Sequence, residues 1–191
     1  MENVKGNVEL ALMNGDYMIC KMLCLDTASL ISGWAYYENG KLTDYGAIDN
    51  SAHKKEWEEE ERLRRMCHSL CDLIEQKKPD IICIEMTVVD RGCATQRLLS
   101  EIVGSVRGFC YSLKNVEFWE YRPSSWRRLC RKKGEELPKD KDGKTIKKRD
   151  DFKKWSVEKV KKDFGIDVTD DVSDAILIGQ AHINIFDCEE R

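Results

Sequence analysis

The chain has 191 residues, 41% hydrophobic and 35% charged, with three prolines and a formal net charge of −3. That length suits one domain with a core of its own, and no apolar run approaches the roughly 18 residues of a membrane span. No basic-then-apolar leader is visible at the N-terminus, so a cytoplasmic protein is expected. The nine cysteines include Cys24, Cys83 and Cys110 in apolar segments, where reduced thiols act as small hydrophobes. Cys20/Cys24 and Cys67/Cys71 lack the usual spacing of a zinc pair.

Residues 1–20 show no strong periodicity and read as an appendage of unknown role to a domain at 21–191. The first strand is expected at 22–26, where Met22-Leu23-Cys24-Leu25 ends in Asp26. A buried strand is a poor place for an acid unless the acid is used. Strands at 33–38 and 41–48 flank Asn39-Gly40, a two-residue hairpin turn. Trp34, Tyr36 and Tyr45 are sheet residues in this reading. A helix over 53–77 follows from Leu63, Met66, Cys67, Leu70, Leu73 and Ile74, and Pro79 ends it. His68 is an ordinary surface residue on it. The strand at 80–85 again closes on an acid, Glu85.

A second helix is expected over 95–114, capped by Thr95, with a broad apolar stripe running from Leu98 to Leu113. Gly104 and Gly108 would let it approach a sheet or a twin helix closely. A fifth strand at 116–121 leads into a short helix opened by Pro123, then a polar loop at 132–148 and a basic helix at 149–164 that stops at Gly165. The last helix, 170–186, carries Asp171 and Asp174 one turn apart near its start. The order of elements predicts a mixed five-stranded sheet with helices on both faces, an α/β three-layer domain.

Charge is unevenly spread. Residues 122–162 hold 17 Lys/Arg against 7 Asp/Glu, a local +10, which leaves −13 for the rest. A basic insertion of this kind predicts a polyanionic partner. Arg122, Arg127, Arg128, Arg131, Lys132, Lys133, Lys147, Lys148 and Arg149 are the candidate contacts to a nucleic-acid backbone.

Four acids, Asp26, Glu85, Asp171 and Asp174, each stand at the edge of an apolar segment. Helix capping would also account for Asp171, but Asp174 lies within an apolar helix face. Mg²⁺ takes hard oxygen ligands and needs only one or two carboxylates per ion. Two such ions about 4 Å apart clamp the attacking water and the leaving oxygen of a phosphodiester. Acids arriving from separate segments are what such a pair requires.

The stretches Leu25-Asp26-Thr27-Ala28-Ser29, Gly33-Trp34, Pro79-Asp80 to Ile84-Glu85, and Asp171-Val172-Ser173-Asp174-Ala175 resemble the RuvC Holliday-junction resolvases. The helix from Leu98 to Arg107-Gly108 has a similar counterpart there, the likeness spans about 22–186, and the phage-type branch is the closer match. The resemblance implies an RNase H-like fold, a homodimer, and Mg²⁺-dependent cutting of branched DNA at a nucleoid or viral replication site. Asp26, Glu85, Asp171 and Asp174 would be both the catalytic and the metal residues, with two Mg²⁺ per site and Mn²⁺ as an acceptable substitute. The chain departs from bacterial members at Val88, where many carry an aromatic, in a stretch from Glu85 to Gly108 about four residues longer, and in a larger basic loop.

Relatives of the same fold fit less well. A DnaQ-like exonuclease wants a second acid where Ala28 stands. A ribonuclease H places Asp at the end of strand four, where this chain has Glu85. An actin-like kinase needs a second, similar half. The alternative from another class is a branched-DNA-binding protein without nuclease activity, against which four acids facing phosphates argue. For assembly, the expectation is a homodimer with the 95–114 helix near its interface. It competes with the reading that the whole apolar stripe packs on its own sheet.

Overall fold

The computed structural model describes residues 20–51, 58–87, 94–139 and 142–187. Residues 1–19 of the appendage, Val88 and Arg91-Gly92, and the start of the first predicted helix lie outside the described residues, as does the side chain of Thr95.

Strand β1 (Lys21–Asp26) pairs antiparallel with β2 (Ile31–Glu38), which turns at Asn39-Gly40, both at positive φ, into β3 (Lys41–Asp49). Helix α1 (Glu59–Lys77) returns the chain to β4 (Ile81–Glu85), parallel to β1. Helix α2 (Ala94–Ser112) returns it again to β5 (Glu117–Tyr121), parallel to β4. Three more helices follow: α3 (Pro123–Leu129), α4 (Arg149–Phe164) and α5 (Asp170–Asp187). The sheet order is β3-β2-β1-β4-β5.

Strand periodicity sends alternate side chains to opposite faces. Leu23, Leu25, Ile82 and Ile84 pack with Met66, Leu70 and Ile74 of α1 and with Ile102, Val103 and Val106 of α2. On the other face Met22, Cys24 and Cys83 meet Val172, Ala175, Ile176 and Leu177 of α5. Trp126 of α3 and Trp155 and Val160 of α4 cover the outside of α5 on this side. This is the RNase H-like three-layer architecture. Helix α5 is therefore buried nearly all round, which is why it is apolar on more than one face.

Two glycines set how close α5 comes to the sheet. A Cβ on Gly33 would lie 2.0 Å from the Asp171 carbonyl oxygen, and one on Gly179 would lie 2.3 Å from Tyr37 Cε2. The Tyr37 hydroxyl donates to the Ile176 carbonyl at 2.7 Å and locks the same contact. Gly104 and Gly108 do nothing of the sort, since a Cβ on either would meet no atom within 4 Å. Leu98, Ile102, Val103, Val106 and Cys110 are buried in the chain's own core. Most of the stripe thus packs on the chain's own sheet and on α1, while the two glycines and Tyr111 lie on the exposed side of α2.

No helix among the described residues is long and apolar enough to cross a membrane. The seven cysteines described are all free thiols.

Gly33→Ala should cost about 2–4 kcal/mol, the range of a severe core misfit, because the obstacle is backbone and cannot step aside. Gly104→Leu should leave the melting temperature of the chain nearly unchanged. Thermal unfolding of the two variants checks both, and a tolerated Gly33→Ala would contradict the tight crossing.

Candidate active site

Register brings the first two acids together. Strands β1 and β4 pair Cys24 with Cys83 and Leu25 with Ile84, so one more step sets Asp26 level with Glu85 at the same sheet end. Both follow cysteines that face α5, so both project toward that helix. Asp26 also pairs with Gly33 across β2. The first turn of α5 lies over this glycine, which carries Asp171 and Asp174 to the same place.

The resulting field is strongly negative. Burial first, then the charges of Glu85, Asp174 and Asp171, push the Asp26 carboxyl well above its ordinary value. Asp174 is 8% exposed, and burial raises it to about 7; the Ser156 hydroxyl beside it pulls the other way. Glu85 is raised by burial and held back by a hydrogen bond from Trp126 Nε1 to its Oε2 at 2.6 Å, and by Arg127 and Arg149. Asp171 is raised by burial and by Asp170, against Lys153 and Arg149. A fifth acid, Asp170, is ion-paired to Lys153 of α4.

Do these residues fit a divalent cation? They supply hard oxygen donors only, the set such an ion takes. Asp174 Oδ1 is buried and has no hydrogen-bond partner in the protein, a costly state that a cation would relieve. Among the described residues no three acid, imidazole or thiolate groups are gathered tightly enough to enclose an ion unaided. An ion held here would complete its shell with water or phosphate oxygens.

The basic residues divide. The charge of Arg127 reaches Glu85 and Asp174, and that of Arg149 reaches Glu85 and Asp171. Arg122, Lys147 and Lys148 are exposed around the starts of α3 and α4. Arg128, Lys132 and Lys133 instead line a separate groove of about 780 Å³ with Phe164, Gln180 and Asn184. Arg131 is turned inward, donating from Nε to the Arg127 carbonyl at 3.1 Å and from Nη1 to the Glu135 carbonyl at 2.9 Å.

Sequence reasoning left three contributors without a role. Gly33 carried a signal, since a glycine inside an apolar strand often marks a close backbone approach. Trp126 and Ser156 carried none, because their acids are 41 residues away for Trp126 and on a different helix for Ser156.

No family model matches the chain, and no curated protein matches it. Solved structures do. RuvC of Thermus thermophilus in complex with Holliday junction substrate aligns over 88% of this chain and 96% of its own, at 12% identity and a TM-score of 0.62. The same organism's RuvC in another structure gives 13% identity and 0.61 over the same shares. The yeast mitochondrial Holliday junction resolvase aligns over 94% of this chain and 85% of its own, at 11% identity and 0.57. The likeness is one of fold, carried over nearly the whole described chain.

Asp174, raised to about 7 from 3.8, makes a signed prediction. A carboxyl with a raised folded pKa costs stability in full above that value and costs nothing below its ordinary one. Asp174→Asn should therefore raise stability at pH 8 in chelator by about 2 kcal/mol, some 5 °C for a chain of this size. The advantage should fade from pH 7 to pH 4. A variant equally affected at both ends of that range would show that the charge is not strained.

Proposed function

We propose that the chain is a divalent-metal-dependent nuclease that cuts phosphodiester bonds in branched DNA, with Holliday junctions as its leading substrate. The observation that carries this reading is the meeting of Asp26, Glu85, Asp171 and Asp174 at one sheet end, each pushed toward its neutral form by burial and, at Asp26, also by the other three. A protein that only bound DNA would gain nothing from such a cluster beside its basic surface. The similarity of fold to two Holliday junction resolvases over most of the chain adds to it.

Asp26, Glu85, Asp171 and Asp174 would together hold two Mg²⁺ ions, and Mn²⁺ would serve as well. Such ions supply a nucleophile at neutral pH and charge stabilisation for the leaving oxygen. The rest is done by the chain. Helix α5 presents its N-terminal end, the positive end of its dipole, to the phosphate. Arg127 and Arg149 stand by the acids, where they would hold the non-bridging oxygens of the scissile phosphate. Lys153, tied to Asp170 and felt by Asp26, would neutralise the cluster until DNA arrives. Cutting a two-fold junction twice needs two sites, so two chains would act on each junction, as a closed homodimer.

Labelled junction, fork and linear duplex incubated with Mg²⁺ test the reading directly. The junction should be cut in paired strands, and Asp26→Asn should abolish cutting while DNA binding persists or tightens. Undiminished cleavage by that variant would end the assignment, and binding without cleavage under every divalent ion would leave a DNA-binding protein.

The basic surface makes its own prediction. Phosphate contacts release counterions, so log affinity falls with log salt by about 0.9 per contact. Neutralising Lys147, Lys148 and Arg149 together should flatten that slope by about 2 to 3. An unchanged slope would put the DNA on another surface.

A further inference from the structure

We propose that Trp126 is the positioning residue of this site, fixing the Glu85 carboxylate with its indole N–H and carrying the Arg127 guanidinium on its ring. The inference rests on the nuclease reading above and assigns the element that sets an acid and a cation at a defined separation.

The backbone delivers Trp126 to Glu85 by a short route. Glu85 pairs with Tyr121 at the end of β5, and the Met86 N–H donates to the Tyr121 carbonyl at 2.8 Å. The chain then turns at Arg122-Pro123 into α3, where the Trp126 N–H donates to the Arg122 carbonyl at 3.1 Å and its carbonyl accepts from Cys130 at 2.8 Å. Trp126 thus sits on the first turn of a helix that starts beside Glu85. Its side chain is fully buried. An indole donates once and accepts nothing, and here that one donor goes to a carboxylate oxygen at 2.6 Å. A tryptophan that served only as core filling would leave the choice of rotamer at Glu85 to solvent and charge.

The ring has a second use. The Arg127 guanidinium carbon lies 4.7 Å from the Trp126 ring centre and 4.7 Å from that of Phe152 on α4. A guanidinium this close to two rings is attracted by both and confined beside them. Arg127 Nε is buried without a hydrogen-bond partner, and the charge of the group reaches both Glu85 and Asp174. Acid and cation are then spaced by one rigid side chain with two torsions.

The test separates positioning from packing. Trp126→Phe keeps a ring and removes the donor. Replacing the indole at 126 by benzothiophene keeps the shape and exchanges the N–H for sulfur, which covers the case that the phenylalanine variant does not fold. Either change should lower the rate of junction cleavage about 10- to 100-fold, the usual loss when a partner of a ligating group is removed, with DNA affinity unchanged. A readout without turnover is the rise in melting temperature on adding Mn²⁺. It should shrink in the Trp126 variants, shrink in Glu85→Gln, and shrink no further when the two are combined, because one acts through the other. Wild-type cleavage and a wild-type Mn²⁺ shift in the benzothiophene protein would overturn the proposal, as would full additivity with Glu85→Gln. Asp26→Asn run alongside tells the two readings apart. If it abolishes cleavage while the Trp126 variants behave as wild type, the positioning role alone fails. If it too cuts normally, the site itself is wrong.

Discussion

The crossing of α5 over β2 at Gly33 is the contact on which the site depends. Asp26 and Gly33 are cross-strand neighbours, so a position that must lack a side chain lies opposite the central acid. Any Cβ there would displace the Asp171 carbonyl and with it the first turn of the helix. Asp171 and Asp174 would then move off the end of β1 together. Gly179 and the Tyr37 hydroxyl, which meets the Ile176 carbonyl, fix the middle of the same helix against β1 and β2. Two points define a line, and the placement of both aspartates follows from it.

That placement is opposed by electrostatics and sustained by packing. Burial, joined at Asp26 by the neighbouring carboxylates, pushes these acids toward their neutral forms, and at Asp174 it raises the carboxyl to about 7. Against it stand Val172, Ala175, Ile176, Leu177, Ile178 and Ala181, all buried on α5. Full burial of each larger one contributes about 1.5–3 kcal/mol, so together they exceed the cost of the Asp174 charge. An apolar helix with acids confined to its first turn is the sequence form of that balance. A strained, partly dehydrated acid cluster at the end of a rigid helix also suits a cation better than a relaxed one, since its reorganisation has already been met by folding.

Most of this frame was legible in the sequence. Apolar runs ending at Asp26 and Glu85 gave β1 and β4, the Asn39-Gly40 turn gave the hairpin, and the spacing in α1 and α2 gave their buried faces. These signals are local, and each is spelled out within about ten residues. What stayed illegible was the partner of each polar side chain. Trp126 reads as a core aromatic beside two arginines, and nothing near it announces Glu85. How the apolar stripe on α2 is shared among its neighbours was illegible for a related reason. Its width is matched by α1 and the sheet together, and only the three-dimensional arrangement shows how much surface two neighbours require.

The basic insertion shows the same limit from the side of charge. Counting 17 cations over 122–162 suggests a continuous anion-binding surface, yet several are consumed inside the fold. Lys159, with a side chain only 2% exposed, donates to Glu135 at 2.8 Å and to Asp163 at 2.8 Å. Lys132 reaches the same Asp163 at 2.9 Å, and its backbone N–H donates to Glu135 at 2.9 Å. Arg131 closes the group by donating to the Glu135 carbonyl. A buried ion pair is a modest source of net stability because its desolvation offsets its attraction. What it does supply is geometry: this one ties the turn after α3 to the last turns of α4. Trp126, Arg127 and Arg128 lie on the helix that enters this clip, while Phe152 and Lys153 lie on the helix that forms its other side. Lys159, Asp163 and Glu135 thus help to hold α3 and α4 in step, the two helices that bring Arg127 and Phe152 together.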